Sequence, residues 1–322
     1  MDALSEVLSA VHMTGAIFLD AEFTAPWGVS VPDARMVASV LAPTAEHVVS
    51  YHLVTDGDMV VRDESGAELR LTAGDIVIMP LGVRHRLSGG IVTNFVDGGL
   101  AVKRLSPGDV IRFSLGDGVG AKTHIVCGYF GCQREAIHLF LAGLPSILRI
   151  PLRGDASGAW IESTIRHLVS EAESNRPGRS ALLSRMAEAL FIESMRRYMQ
   201  SLPAQQTGWL AAARDPIVGR VLSAIHREPR RRWTTAELIE TGGSSRSVVT
   251  ERFAHLLGKA PISYLTSWRL HLAARALETT RRTVLQVAFD VGYESEASFN
   301  RAFKREFGAP PARYRKQMRE SV

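Results

Sequence analysis

The last third of this 322-residue chain repeats one pattern of capping, apolar and turn residues at an offset of 50. Ser245, Val249, Phe253, Gly258, Pro261 and Tyr264 are answered by Ser295, Phe299, Phe303, Gly308, Pro311 and Tyr314. Upstream, Leu238 and Gly242 are answered by Ala288 and Gly292. Two copies of a short helix, a glycine turn and a Ser-capped second helix predict an all-α segment of two helix-turn-helix units. Such a segment is suited to reading two adjacent stretches of DNA.

The first copy can be read residue by residue. Thr235 to Thr241 forms the first helix, and Gly242-Gly243 supplies the backbone freedom of a tight turn. Ser244 or Ser245 caps the next helix by accepting a hydrogen bond from an early backbone N–H. Val249, Phe253 and Leu256 recur at three- and four-residue spacing and share a buried face. Arg246, Ser247 and Thr250 stand opposite, free to meet phosphates or base edges. Gly258 ends the helix and Pro261 follows it. In the second copy Val287, Ala288 and Val291 precede Gly292, Ser295 caps, and Phe299 and Phe303 face inward. Glu296, Ala297, Asn300, Arg301 and Lys304 lie on or near the outer face. Ile262 to Thr280 reads as one connecting helix, with Leu265, Trp268, Leu272 and Arg275-Ala276 toward both units. A spacing of about 34 Å would put the two reading helices in successive major grooves.

Apolar helical spacing alone is also what plain helix packing produces. Charge favours the DNA reading. Residues 214–322 carry 20 Lys+Arg against 11 Asp+Glu, a net of +9, while residues 1–213 carry 18 against 22. The basic surplus is confined to the doubled motif, as an electrostatic footprint for DNA requires.

The run GGSSRSVVTERFAHLLGKAPISYLTSWRLHLAARALE, followed by VLQVAFDVGYESEASFNRAFKREFGAPPARYR, resembles the DNA-binding domain of AraC-type transcriptional regulators. The resemblance covers about 105 residues, assigned here as 214–318. It implies that the second helix of each unit enters the major groove. The base-facing candidates are then Arg246, Ser247, Thr250 and Glu251, and Glu296, Ala297, Asn300 and Arg301, with Lys304 beside them. It also implies RNA polymerase as a partner, activation as the commoner mode, and a cytoplasmic homodimer. One departure stands out: Glu251 occupies a position where the family commonly has Arg, which Arg301 keeps. Glu251 either accepts from cytosine N4 or is a solvated residue without a base contact.

Two cysteines, Cys127 and Cys132, exclude a disulfide framework and fit a reducing compartment. On one strand, five residues would hold them about 17 Å apart, too far for a bridge. No apolar run approaches the roughly 18 residues of a membrane span. The N-terminal MDALSEVLSAVH reads as a short amphipathic helix rather than a signal peptide.

The first 150 residues change texture. VVSYHLV, DMVVRD, ELRLT, DIVIMP, HRLSG and THIVCGYF are short strands at close spacing and predict a sandwich or barrel. Gly74 to His85 fits G-x5-P-x-G-x2-H at every fixed position, which resembles the second cupin signature. With APWGV, YHLVTDG and IVCGYF, residues 1–155 look like the cupin-type sensor domain of one branch of AraC-type regulators. The fold class is therefore α+β multidomain: a cupin-like β-barrel, a helical linker and an all-α domain with two helix-turn-helix units.

A cupin-type metalloenzyme fused to a DNA-binding domain is the alternative. It lacks the paired His of the first signature, since Ser50 stands two residues before His52, and no carboxylate stands in register for the expected Glu. Nonspecific DNA packaging is a third class. A non-catalytic Zn²⁺ site from His52, His85 and Cys127 is one reading of these residues; hydrogen-bonded core histidines beside a buried thiol are the other. Trp27, His52, Met79, His85 and Tyr129 are candidates for an effector pocket inside the barrel, and oxidant sensing at Cys127 stays open. Gly158 to Ser174 and Ser180 to Met199 read as two helices separated by Asn175, Pro177 and Gly178. Within the 156–200 segment they form core or a dimer interface, and SLPAQQTG marks the boundary beyond.

Overall fold

A computed structural model describes residues 2–10, 14–42, 45, 47–102, 111–132, 141–172 and 176–320. Ser174 and Asn175 lie outside the described residues. The chain divides into two compact units, residues 11–201 and residues 1–10 with 202–322.

The first unit is built on two sheets. The six-stranded sheet joins β1 (Thr14–Thr24), β3 (His47–Asp56), β6 (Asp75–Met79), β9 (Ile111–Leu115), β10 (Lys122–Cys132) and β11 (Leu148–Pro151) in the order β11-β6-β3-β10-β1-β9. The five-stranded sheet joins β2 (Trp27–Val31), β4 (Asp58–Asp63), β5 (Glu68–Thr72), β7 (His85–Gly89) and β8 (Val96–Asp97) in the order β5-β4-β7-β2-β8. All six strand-like runs are strands; β1, β2, β8, β9 and β11 escape the pattern reading. Helical turns α2 (Ala38–Leu41) and α3 (Gly99–Val102) lie between strands.

Strand parity explains how this unit is layered. Residues 48–54 are buried at every position, as are 75–79. Alternate side chains of such strands point to opposite faces, so both faces of the sheet must be covered. Val77, Met79, Cys127 and Tyr129 join the apolar cluster on one face. Helices α4 (Ala156–Ala172) and α5 (Arg179–Ser201) pack against β1, and α5 also packs on β10 and β11. The Phe191 ring meets Phe130 edge-on at 5.0 Å, and Arg197 Nη2 donates to the Pro151 carbonyl at 2.7 Å. The 156–200 helices are therefore packed on the sheet, with Ile161, Ile165, Leu168, Leu183, Leu190 and Met195 buried. Met186, Tyr198 and Met199 are half-buried, and Trp160 is exposed.

The second unit begins at residue 202 rather than 214, because α6 (Trp209–Arg214) buries Trp209, Leu210, Ala211 and Ala212 in it. Helix α1 (Ala3–Ala10) packs on α7 (Val218–Arg227), so the first ten residues fall in this unit and not with the sheets. There follow α8 (Thr235–Gly242), α9 (Arg246–Leu257), α10 (Pro261–Thr279), α11 (Val284–Asp290), α12 (Glu296–Phe307) and α13 (Pro311–Glu320). In the connector α10, Pro261, Tyr264, Leu265 and Trp268 are buried in its first half, and Leu270, Ala273, Ala274 and Leu277 in its second. The second stripe packs with Val287, Phe299 and Phe303. Leu272 and Ala276 sit at its margin, only partly buried.

Candidate nucleic-acid interface and sensor core

The two helix-turn-helix units are made the same way. Thr234 caps α8 in a reciprocal box with Glu237, and Thr283 caps α11 with Gln286. The turns differ. In the first, Gly243 takes the left-handed conformation at φ 61°, and a Cβ on buried Gly242 would come within 2.9 Å of Val249. In the second, Gly292 itself has φ 88°. Ser245 caps the reading helix α9, accepting from the Val248 N–H, and Ser295 caps α12, accepting from Ser298.

Val249 and Phe253 bury the inner face of α9; Phe299, Ala302 and Phe303 bury that of α12. Arg246, Ser247 and Glu251 are exposed, as are Ala297, Arg301 and Lys304. Glu296 is half-buried. Thr250 and Asn300, 50 residues apart, are also half-buried, and the Asn300 Oδ1 is buried without a hydrogen-bond partner. These two lie on the shoulder of each reading helix rather than on its crest, because each precedes a turn in which the next inward residue, Phe253 or Phe303, sinks into the core.

Two supporting groups are absent from the sequence reading. Arg269 on α10 donates to the carbonyls of Pro229 (2.6 Å), Arg231 (2.7 Å) and Gly292 (3.3 Å). One guanidinium thereby ties the segment before α8 to the turn of the second unit. The second group lies under the first unit. Trp209 Nε1 donates to Tyr264 Oη at 2.8 Å, and His226 Nε2 lies within hydrogen-bond distance of the same oxygen at 3.0 Å. Burial pushes the His226 imidazole down to about 3, so it is neutral in the core. Their signal in the sequence is only a basic or aromatic residue at an inward position.

In the sheet unit, His52 and Cys127 are register partners on β3 and β10, and His85 reaches them from β7 of the other sheet. His52 Nδ1 lies 2.8 Å from Cys127 Sγ, and His52 Nε2 lies 2.8 Å from His85 Nε2. His85 Nδ1 is 2.8 Å from the Val83 carbonyl. That carbonyl only accepts, so it assigns every proton in the row. His85 donates from Nδ1 and accepts at Nε2; His52 donates from Nε2 and accepts at Nδ1; the Cys127 thiol donates. Burial holds this chain neutral, pushing His85 down to about 4, lowering His52 and raising the thiol.

This arrangement fits the reading as hydrogen-bonded core histidines beside a buried thiol better than the Zn²⁺ reading. His52 turns its two nitrogens to opposite sides, one to Cys127 and one to His85, so the three donors do not converge on one centre. Among the described residues no group of three or more His, Cys, Asp and Glu is placed to hold a metal ion. His124 faces away, its Nε2 2.7 Å from Asp20 Oδ1. Cys127 and Cys132 are both buried thiols and are not joined in a disulfide.

The five pocket candidates are all buried as well. Trp27 stacks on Phe23 with centroids 4.1 Å apart, and Trp27, Met79 and Tyr129 belong to one apolar cluster. They pack as core because both sheets turn their large apolar side chains to that face. Two clefts of this unit open instead where polar outer residues of the five-stranded sheet line them.

Residues 2–200 match the family described as Cupin, and residues 240–317 match a Helix-turn-helix domain. An AraC-like transcription regulator of Streptomyces lividans is 33% identical over 274 residues, 84% of this chain and 88% of its own. This chain is an AraC-type transcription regulator. The RCS-specific transcriptional activator RclR of Escherichia coli is 28% identical to this AraC-type regulator, across 99% of both chains. The DNA-binding domain of AdpA, solved in complex with target DNA, is 30% identical over 33% of this chain and 96% of its own, with a TM-score of 0.32.

Proposed function

We propose that this AraC-type regulator activates transcription as a cytoplasmic homodimer, contacting RNA polymerase beside its operator. Arg246, Ser247, Glu251, Glu296, Ala297, Arg301 and Lys304 read double-stranded DNA, with Thr250 and Asn300 at the edge of the contact. The observation that carries this reading is the pair of Ser-capped helices whose outer faces are exposed at matching positions. The name of the Escherichia coli relative supports activation. Trp160, exposed on α4, supports pairing with a second copy. The cupin unit senses rather than catalyses. Its His52–His85–Cys127 row is a neutral, satisfied chain, and Ser50 stands where a cupin enzyme would need a second His. A small-molecule or redox signal acts on this unit near Trp27, His52, Met79, His85 and Tyr129, where a polar row interrupts an apolar core.

Selection of binding sites from random DNA, followed by anisotropy titration, tests the reading. The selected site is expected to bind at least about 10³-fold tighter than random DNA. Arg301→Ala should weaken the selected site by about 10–100-fold and relax one base position. Equal affinity for selected and random DNA would make the protein a nonspecific DNA binder and sink the proposal.

A further inference from the structure

The outer face of the five-stranded sheet carries one cross-strand row that the DNA-reading function does not use. Ser30 on β2 pairs with Arg86 on β7, Arg86 with Arg62 on β4, and Arg62 with Glu68 on β5. Two arginines therefore stand directly opposite one another, an arrangement that repels unless an anion lies between them. Arg84, just before β7, lines the same cleft as these two.

These side chains, with Ser30, line a cleft of about 500 Å³. Its acids pair with Arg62 and Arg84 but, among the described residues, leave Arg86 unmatched. Asp63 is buried and turned into its own loop, where Oδ1 accepts from the Ser65 hydroxyl and the Ala67 N–H. Glu64 approaches Arg84 only to 3.7 Å, with both side chains largely exposed. Arg62 pairs with Glu68 at the far end of the row, and both are exposed to water. Arg86 makes no ion pair among the described residues; its guanidinium lies 4.8 Å from the centre of the Phe95 ring. Stacking on an aromatic face leaves the N–H edge of a guanidinium free to bind an oxyanion in a bidentate fork.

We propose that Arg62, Arg84 and Arg86, with the Ser30 hydroxyl, form a binding site for a small oxyanion, a carboxylate or a phosphate. The anion sits between the two opposed arginines, replaces the loose Arg84–Glu64 contact, and removes the cross-strand repulsion. The position of His85 gives the site a way to be felt inside. His85 is between Arg84 and Arg86 in the chain and contributes to the cleft wall, while its ring joins the His52–Cys127 row on the other face. Binding holds the backbone on both sides of His85. The site stands or falls independently of whether its ligand alters DNA binding.

Isothermal titration of the full chain with inorganic phosphate, and separately with succinate, tests this in a low-chloride buffer. One saturable site is expected for at least one of them, and the tighter of the two names the source chemistry. Arg62→Gln and Arg86→Gln should each weaken it at least tenfold, while Arg70→Gln, outside the cleft and paired with Asp58, leaves it unchanged. Arg84→Gln, just before β7, provides the same comparison should a strand variant fail to fold. Two results overturn the proposal. One is no saturable binding tighter than about 1 mM for either anion. The other is affinity retained in the Arg62→Gln/Arg86→Gln double variant, which would mean an adventitious ion only, held elsewhere on this basic chain.

Discussion

The proton order along Val83, His85, His52 and Cys127 makes the thiol a donor, and its behaviour follows from that. A buried, neutral thiol is a poor nucleophile, because the thiolate is the reactive form and burial raises the cost of making it. Cys127 in the folded protein is expected to react with a disulfide reagent at least tenfold more slowly than in urea. Equal rates in the two states would refute the assigned order. Cys127→Ala leaves His52 Nδ1 buried without its partner, at a cost of about 1–3 kcal/mol measurable as a lower urea midpoint. The histidines set a pH dependence with a definite sign. His85, down at about 4, and His226, down at about 3, are neutral in the fold, while their unfolded forms take up protons below about 6.5. Their stabilising contribution is whole above that pH and is lost as pH falls toward 4 and 3. Between pH 7.5 and 5.5 each should remove about 1 kcal/mol of stability. Urea titrations at the two pH values measure it, and replacing His226 by Gln should reduce the pH effect in the C-terminal unit alone.

At the scale of elements, legibility follows how local each signal is. The caps, turns and inner faces of α8, α9, α11 and α12 are legible because each rests on residues within one or two turns. The strands β3, β4, β6, β7 and β10 are legible from their apolar runs and punctuation. Strand β1 is not, since TGAIFLDAEFT takes its identity from pairing with β10 about 100 residues away. The exposed reading positions were open to inspection in the sequence, but the half-buried state of Thr250 and Asn300 depends on helix rotation against the core. The place of α4 and α5 depends on tertiary packing, although the unbroken burial of β3 and β6 hints that their sheet needs a second cover. The opposed Arg62 and Arg86 need a strand register that no local pattern supplies. If α5 is a wall of the sheet, Phe191→Ala opens a cavity against Phe130 and costs about 3–5 kcal/mol. A denaturation midpoint unchanged in that variant would argue that the helix is only a linker.

On the scale of the whole molecule, the two reading helices form a pair with opposite charge order. Arg246 begins α9 and Glu251 lies one turn and a half further on; at the matching positions α12 has Glu296 and then Arg301. Arg presents a bidentate donor edge suited to the O6 and N7 of guanine, whereas Glu accepts from the N4 of cytosine. A single chain thus presents two different readers, and its site should be two unlike blocks about one helical turn, or 10–10.5 base pairs, apart. A site of this kind fixes the direction in which each chain lies on DNA, which a palindrome read by two like helices would not. Glu251→Arg tests the point through two independent quantities. Removing a carboxylate near phosphates and adding a cation should raise affinity for random DNA and steepen the salt dependence by about one to two units of slope. The same change should shift the base preference in only one of the two blocks. A variant that binds more tightly with both blocks unchanged would mean that Glu251 only repels the backbone. A variant with altered preference in one block would make it the reader that tells the two halves of the operator apart.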